Sequence, residues 1–235
     1  MTAGDRRYTG TANLEAMAAA LRYNAFLRDL VKRHAPPLHP GERVVDFGAG
    51  IGTFSDTFPA DATLCVEQDP EQRAELEARG LSTAMLETIP DRSIGFVYSI
   101  NVLEHIEDDG GTLRALRAKL RPGGRLLLYV PAFMSLWTDM DDLVGHVRRY
   151  RRDELTAKVA GAGLRVLQAE YADSAGFFAT LTFKAIGRSA RRGGRISPAS
   201  VALFDRLAFP AGRLLDRLLL RHLFGKNVVL VATRD

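Results

Sequence analysis

The sequence predicts an α/β protein with a doubly wound, mainly parallel seven-stranded sheet. Apolar segments of strand length alternate with helical segments from residue 41 to residue 173, a rhythm typical of parallel sheets covered by helices on both faces. The first strand of this series runs directly into a glycine-rich turn. The 235 residues suit one such domain.

Each predicted element follows from its local pattern. Helical spacing of apolar residues predicts a helix over 13–35, which Pro36 and Pro37 terminate. A turn is predicted at the Arg-Pro-Gly-Gly sequence of 121–124. The predicted strands are 43–47, 63–67, 81–85, 94–99, 125–130, 164–171 and 227–233. The predicted connecting helices are 52–58, 70–79, 112–120 and 153–160.

A basic segment at 174–226 differs in charge from this core. It contains ten basic and two acidic residues, whereas the rest of the chain is mildly acidic. We therefore divide the single domain into a helical cap (1–40), a core (41–173), a helical insert (174–226) and a last strand (227–235). Pro210 and Gly212 are expected to break the insert into two helices. We favour a packed cap that lines a substrate pocket; the alternatives are a peripheral contact with an anionic membrane and simple packing on the sheet or on another subunit.

Composition excludes several classes of protein. Hydrophobic residues make up 46% and charged residues 26% of the chain, which argues against global disorder. The single cysteine, Cys65, excludes an intramolecular disulfide. The first twenty residues contain no apolar run and no apolar run is long enough for a membrane span, so we expect a cytoplasmic protein. One cysteine and scattered histidines indicate no metal site.

The glycine-rich turn carries the strongest functional signal. In residues 44–52, Val-Val-Asp-Phe-Gly-Ala-Gly-Ile-Gly, a strand is followed by glycines that permit positive φ and a close ligand. Their G-x-G-x-G spacing differs from the dinucleotide fingerprint. Asp46 suits a ligand with a cationic amine and sulfonium better than a pyrophosphate. Glu67, about 20 residues later at the end of the second strand, can accept both hydroxyls of a ribose.

These motifs resemble those of class I S-adenosylmethionine-dependent methyltransferases. The resemblance covers roughly residues 40–171 and rests on VVDFGAGIGTF, CVEQDP, IGFVYSINVLEHIEDD and LRPGGRLLLYVPA, in that order. Residues 141–150 also resemble a D-x-x-x-GH-x-RRY subgroup of bacterial members. The resemblance implies a Rossmann-like fold, S-adenosylmethionine as cofactor and S-adenosylhomocysteine as product.

The resemblance also implies which residues hold the cofactor. Met85 stands where many members have an aspartate that binds the adenine amino group, so packing and backbone amides are expected to replace that bond. Tyr23 and Asn24 are expected either to close over the cofactor or to form an ordinary packed helix face. The implied cofactor-binding residues are Asp46, Gly48, Ala49, Gly50, Glu67, Gln68, Met85, Leu86, Asn101 and Tyr23.

Two histidines are candidate catalytic groups. His146 is the first candidate for a general base, because an imidazole near the mouth of the site could titrate near neutral pH. The competing interpretation is a loop histidine bonded to Asp139, Asp141 or Asp142, which holds the neighbouring arginines. His105 is the second candidate, with a positioning role favoured over proton transfer.

The arginine-rich sequence after His146 suggests a substrate contact. Arg148, Arg149 and Tyr150 are the candidates, because arginine forks match carboxylate or phosphate groups. Internal pairing with the nearby aspartates is the alternative, and local charge balance favours it.

The sequence is compatible with three functions to different degrees. The preferred one is methyl transfer to a small-molecule or lipid-like acceptor, with the acceptor atom and the oligomeric state left open. The alternative is a non-catalytic S-adenosylmethionine-binding partner or regulator. The third, a dinucleotide oxidoreductase, is disfavoured by the glycine spacing. Nucleic acid is disfavoured as a partner, because no Asn/Asp-Pro-Pro-Tyr motif follows the fourth strand and no nucleic-acid-binding module is visible.

Overall fold

The computed structural model describes residues 20–185, 202–218 and 220–235. It contains one seven-stranded sheet with the order β3-β2-β1-β4-β5-β7-β6, in which β7 alone runs antiparallel to its neighbours. The strands are β1 Arg43–Phe47, β2 Thr63–Val66, β3 Ser82–Ala84, β4 Ile94–Ile100, β5 Leu120–Pro131, β6 Arg165–Ala172 and β7 Asn227–Thr233. The predicted doubly wound, mainly parallel sheet is confirmed.

Seven α-helices accompany the sheet in the described part of the chain. They are α1 Leu21–His34, α2 Pro70–Ala78, α3 Asp109–Lys119, α4 Asp139–Val144, α5 Arg152–Gly161, α6 Ser174–Ala185 and α7 Phe209–Leu218. A π-helical turn, Phe204–Ala208, leads directly into α7. Residues 13–19 of the predicted first helix lie outside the described residues. None of the described helices is both long enough and apolar enough to cross a bilayer.

Two hydrophobic cores lie on the two faces of the sheet. One contains Leu113 and Leu116 of α3 with Leu155 and Val159 of α5, packed on buried strand residues. The other contains the apolar face of α1 and Phe209 of α7. Because both faces are covered, the central strands are mainly apolar, as is typical of parallel strands that are buried on two sides.

The helix predicted at 52–58 is absent, and that prediction is wrong. Gly48, Gly50 and Gly52 all have positive φ, so the chain leaves β1 through a series of turns. Gly52, at φ +76°, cannot take part in a right-handed helix in that conformation. Ser55 instead donates its hydroxyl hydrogen to the buried carboxylate of Asp46, at 2.8 Å.

The turn predicted at 121–124 lies inside β5 rather than before it. Ile94 pairs with Leu120 and Phe96 with Arg125, so the extra residues form an irregularity in the ladder between β4 and β5. Gly123 supplies the positive φ that this bulge needs.

Pro210 and Gly212 do not break the insert, which corrects a second prediction. Pro210 follows directly after the π-helical turn, and the helical segment continues through it, so the proline is accommodated by a local widening of the helix and not by a break. Gly212 lies where α7 meets α6, and a Cβ at this position would come within 2.5 Å of the Ala175 Cβ. The glycine is therefore needed for the close approach of two helices. Residues 186–201 and 219 of the insert lie outside the described residues.

Candidate functional site

The glycine turn lies at the carboxyl end of β1, beside the segment that follows β4. A Cβ on Gly48 would come within 2.4 Å of a Val102 methyl group, so only glycine allows this contact. Gly48 and Ala49 both donate their N–H groups to the Val66 carbonyl, at 2.8 and 3.2 Å. These bonds fasten the turn to the end of β2, where a ligand is expected in open α/β sheets.

Glu67 follows β2 and binds the glycine turn directly. Its Oε2 accepts the Gly50 N–H at 2.7 Å, and its Oε1 accepts the Asp69 N–H at 2.9 Å. A carboxylate oxygen has two lone pairs, so each oxygen keeps one acceptor site after these bonds. The half-buried carboxylate is thus held in place by two backbone amides and still fits a ribose diol.

Asp46 is buried beneath the same turn. Burial raises its pKa to about 7, against a hydrogen bond from Ser55 that acts in the opposite direction. The Asp46 carboxyl is only 4% exposed. It would therefore act on a bound cofactor through the glycine turn that it supports. This arrangement agrees with the expectation that Asp46 orients the turn.

The residues predicted to surround an adenine lie next to Glu67. Arg73 of α2 donates from Nη1 to the Glu67 carbonyl at 3.0 Å and lies 3.1 Å from the Met85 sulfur. Met85 and Gln68 are exposed, and Leu86 is half-buried. The Met85 side chain is therefore exposed outside the hydrophobic core, where it is accessible to the adenine ring of a cofactor.

Asn101 marks the end of β4 with a strained backbone. It has φ +53°, is exposed, and donates its N–H to the Tyr129 carbonyl at 2.7 Å. Phe133 and Asp173, which follow β5 and β6, also have positive φ. Non-glycine residues adopt this conformation at a cost, and such strain is concentrated at functional sites. Three strained residues at one edge of the sheet support its assignment as the ligand edge.

Tyr23 and Asn24 form a packed helix face, the second of the two interpretations. The Tyr23 hydroxyl lies 2.9 Å from that of Tyr129, and its ring packs edge-on against Phe209. Both Tyr23 and Asn24 are buried. The structure therefore gives Tyr23 a role in fastening α1 to β5 and α7.

Glu104, His105 and His146 come together beside the end of β4. One potential metal-ligating atom from each lies within 4.8 Å of the other two. The two imidazole rings meet edge to face at a centroid distance of 4.6 Å. Burial, with a smaller contribution from the neighbouring His146 ring, lowers the pKa of His105 to about 4, and burial raises the pKa of Glu104 to about 8. We call this set the Glu-His-His cluster.

Asp141 of α4 holds the cluster in place. Its Oδ1 accepts from His146 Nδ1 at 2.7 Å and from Arg149 Nε at 2.7 Å, and its Oδ2 accepts from the Thr138 N–H at 2.8 Å. Burial acts to raise the pKa of Asp141, but the bonds from His146 and Arg149 outweigh it and hold that pKa well below its usual range. The loop-histidine interpretation of His146 is thus what the structure shows, although the Nε2 atom remains directed at Glu104, 3.8 Å away.

The candidate substrate residues pair internally, as the alternative interpretation expects, and their contact with a substrate stays a prediction. Arg149 is buried against Asp141, and Arg148 forms an ion pair with Asp109 at 2.6 Å. Tyr150 is fully buried, and its hydroxyl oxygen, which carries a single hydrogen, lies 3.0 Å from the acceptor Asp109 Oδ2 and 3.2 Å from the Leu103 carbonyl oxygen. These residues fasten the loop after β5 to the protein, and Asp109 was not foreseen as their partner.

Glu104 is the site residue that sequence reasoning missed. It precedes His105 in Leu-Glu-His-Ile and looks like an ordinary exposed carboxylate of a short helix. A glutamate flanked by apolar residues at the end of a predicted buried strand was the available signal. Its contact with His146 depends on a loop 42 residues further along the chain and has no local signature.

Comparisons with known proteins identify the family of the chain. A family model described as a methyltransferase domain matches residues 18–169, more than half of the chain. The 27-O-demethylrifamycin SV methyltransferase of Amycolatopsis mediterranei is 29% identical over 157 residues, covering 57% of this chain and 58% of that protein. The ubiquinone biosynthesis O-methyltransferase of Methylocella silvestris is 30% identical over 135 residues, covering 46% and 53%. The chain spans about half the length of the curated relatives it matches.

Solved structures show the same fold. The chain matches a SAM-dependent methyltransferase of Thermotoga maritima with a TM-score of 0.60 at 16% identity, covering 97% of this chain and 98% of that one. It matches the geranyl diphosphate C-methyltransferase of Streptomyces coelicolor A3(2) with a TM-score of 0.62 at 13% identity, covering 90% and 77%. The seven-stranded sheet, the glycine turn bound to Glu67 and the match of the family model lead to one conclusion: the chain belongs to the methyltransferase domain family.

Proposed function

We propose that the protein transfers a methyl group from S-adenosylmethionine to a hydroxyl group of a small molecule. The part of this proposal that concerns the methyl donor rests on the hydrogen bond from the Gly50 N–H to the Glu67 carboxylate. It joins the glycine turn and a carboxylate with spare acceptor sites into one cradle at the carboxyl edge of the sheet. Bound there, S-adenosylmethionine supplies an activated methyl group on a positive sulfur.

The chain's own residues position this donor. Gly48 and Gly50 supply a turn without side chains under the cofactor, Glu67 accepts the ribose hydroxyls, and Met85 packs on the adenine. The buried carboxyl of Asp46 supports the turn through Ser55. Methyl transfer is an in-line displacement, so alignment and exclusion of water are the main tasks of the protein.

The acceptor half of the proposal rests on the Glu-His-His cluster. Val102, which touches Gly48, precedes the cluster by two residues, so the cluster lies beside the donor cradle. The bond from His146 Nδ1 to Asp141 fixes the tautomer and leaves the Nε2 lone pair for a partner. An Nε2 atom held in this way can take a proton from a hydroxyl group or bind a cation.

The names of two relatives support oxygen as the acceptor atom. Both the 27-O-demethylrifamycin SV methyltransferase and the ubiquinone biosynthesis O-methyltransferase are named for methylation of an oxygen on a small molecule. Loss of a hydroxyl proton is the step for which a positioned imidazole is useful. We carry this acceptor class to the present chain as part of the proposal.

Mass spectrometry with methyl-deuterated S-adenosylmethionine tests the proposal. The purified protein is incubated with a panel of phenols, hydroquinones and macrocyclic alcohols, and both the labelled product and S-adenosylhomocysteine are measured. We expect labelled methyl on oxygen and acceptor-dependent release of S-adenosylhomocysteine. Saturable cofactor binding without turnover on any acceptor would instead favour a non-catalytic binding protein.

A further inference from the structure

We infer that Glu104, His105 and His146 bind one divalent transition-metal ion beside the donor cradle. The inference deepens the proposed function, on which its catalytic consequence rests, because it names the group that receives the acceptor oxygen. No regular spacing in the sequence points to this site, since its ligands come from the segment after β4 and from the loop after α4.

The first observation behind this inference is the carboxylate of Glu104. Its side chain is fully buried, and neither Oε1 nor Oε2 has a hydrogen-bond partner in the part of the chain that the structure describes. Buried carboxylates are costly unless they are hydrogen-bonded, paired or bound to a metal. The His146 ring lies beside this carboxylate, with its Nε2 atom 3.8 Å from Oε1. A cation between them would satisfy the glutamate.

The second observation is the tautomer of the two histidines. His146 donates through Nδ1 to Asp141 at 2.7 Å, and His105 is bound through Nδ1 to the Gly145 carbonyl at 3.3 Å. In a neutral imidazole that donates through Nδ1, the lone pair is on Nε2. Metal-binding histidines commonly have their other nitrogen held in this way by a carboxylate or a carbonyl. The Nδ1 atoms of both histidines therefore already have the contacts that hold metal-binding histidines in place.

The third observation is that the three ligating atoms lie close together and that a metal ion can reach them from solvent. The ligating atoms lie within 4.8 Å of one another, whereas two ligands of a tetrahedral zinc ion are roughly 3.4 Å apart, given bond lengths of about 2.1 Å. A movement of about 1 Å in side chains would close the site. The His146 side chain keeps 15% of its surface exposed, so an ion can enter from solvent. Two imidazoles and one carboxylate suit zinc, cobalt or iron(II) and leave a coordination position open.

An acceptor hydroxyl in that open position would be activated by the ion. The bound hydroxyl releases its proton to water, because a divalent ion lowers the pKa of an oxygen bound to it. The oxygen then forms a bond to the methyl carbon as the carbon–sulfur bond breaks, and the electron pair of that bond stays on the sulfur of S-adenosylhomocysteine. In this state His146 is a ligand of the ion, and the ion replaces the free imidazole in activating the hydroxyl.

Titration of the metal-free protein with Co²⁺ and Zn²⁺ tests the inference. After chelation and dialysis, calorimetry gives the stoichiometry, and the visible absorption of bound Co²⁺ reports its coordination. We expect one ion per chain and a cobalt spectrum of four- or five-coordinate type. Binding no tighter than that of the Glu104→Gln variant, or a cobalt spectrum like that of the free aqueous ion, would overturn the inference.

Substitutions distinguish the residues that bind the metal ion from those that do not. Glu104→Gln keeps the shape of the side chain and is expected to weaken binding by at least about 10-fold, and Asp141→Asn by roughly 10–100-fold. His39→Ala removes an exposed histidine outside the cluster and should leave binding unchanged. If Glu104→Gln does not fold, His105→Gln provides the second ligand variant. Equal binding in wild type and in every folded ligand variant would contradict the assignment.

The same preparations distinguish this inference from the proposed function. S-adenosylhomocysteine is titrated into the metal-free protein in parallel. Binding of S-adenosylhomocysteine without metal binding leaves the methyltransferase proposal standing and overturns the metal site. Metal binding without S-adenosylhomocysteine binding supports the metal site and contradicts the proposed function.

Discussion

The burial of the Asp46 carboxyl group makes the stability of the fold depend on pH. Its pKa in the folded protein is about 7, well above the ordinary value of an aspartate, because burial disfavours the charged form. Between about pH 4 and pH 7 the folded state therefore binds a proton that the unfolded state has lost. Stability contributed by this group is highest below that interval and decreases as the pH rises through it.

The Asp46→Asn variant should remove this dependence. We expect the unfolding free energy of the wild type to fall, relative to the variant, by up to roughly 4 kcal/mol between pH 4.5 and pH 7.5. Urea denaturation at the two pH values measures it. Asp61→Asn is the control, because Asp61 is exposed. Parallel pH profiles for wild type and Asp46→Asn would show that Asp46 titrates normally.

At the scale of elements, two buried aspartates of the insert fasten other helices. Asp205 accepts the backbone N–H groups of Arg22 and Tyr23 at 3.0 and 2.8 Å, at the start of α1. Asp216 accepts those of Asp173 and Ser174 at 3.1 and 3.2 Å, at the start of α6. The first N–H groups of a helix have no partner within it, so these carboxylates satisfy them.

Removing one of these carboxylates should loosen α1. We expect Asp205→Ala to lower the unfolding free energy by about 1–2 kcal/mol, the usual cost of a lost helix cap. Asp29→Ala, which removes an exposed carboxylate on α1, should cost at most about 0.5 kcal/mol. Chemical denaturation compares the two variants. Equal stabilities would contradict the capping role of Asp205.

The contact between α6 and α7 makes a second prediction at this scale. Gly212→Ala would place a Cβ within 2.5 Å of the Ala175 Cβ, so we expect a loss of about 1–3 kcal/mol in unfolding free energy. Gly161→Ala, at the end of α5, meets no atom within 4 Å and is expected to be neutral or slightly stabilising. Thermal melting of both variants checks this. A Gly212→Ala protein as stable as the wild type would show that the helices separate at little cost.

At the scale of the whole molecule, the insert leaves apolar side chains exposed. Leu203, Leu207 and Leu214 are each more than 60% exposed, on a segment whose charge is strongly positive. We expect this face to bind vesicles of anionic phospholipid and not vesicles of phosphatidylcholine alone. A Leu207→Glu, Leu214→Glu double variant should lose binding in a sedimentation assay. Equal sedimentation with both vesicle types would contradict the charge-dependent contact.

Much of the fold was predictable from local patterns. The bounds of β1 and β7 agree with the prediction residue for residue, because both strands are apolar and end at polar residues or turns. The missing helix after β1 was not predictable, since it depends on the φ of Gly52 and on the bond from Ser55 to Asp46. The same holds for the caps on α1 and α6, whose partners are distant along the chain.

The candidate site was predictable where a motif is contiguous. The structure places the glycine turn and Glu67 against each other, as the motif spacing indicates, whereas their binding of a cofactor remains a prediction. The sequence left two interpretations of Arg149 and Tyr150 open, and the structure shows the internal pairing, with buried partners on other segments. The Glu-His-His cluster forms only when the loop after β5 folds back on the end of β4, which no local pattern encodes.

Titration with S-adenosylhomocysteine tests the central claim, the donor cradle, most directly. Calorimetry compares the wild type with Glu67→Gln, which keeps the side chain's shape but offers fewer acceptors, and with Glu75→Ala, an exposed glutamate of α2. We predict saturable binding by the wild type and Glu75→Ala, and a loss of roughly 10–100-fold in Glu67→Gln, since a hydrogen bond to a charged group contributes about 1.5–3 kcal/mol. No binding by the wild type, or a preference for NADH, would contradict the account.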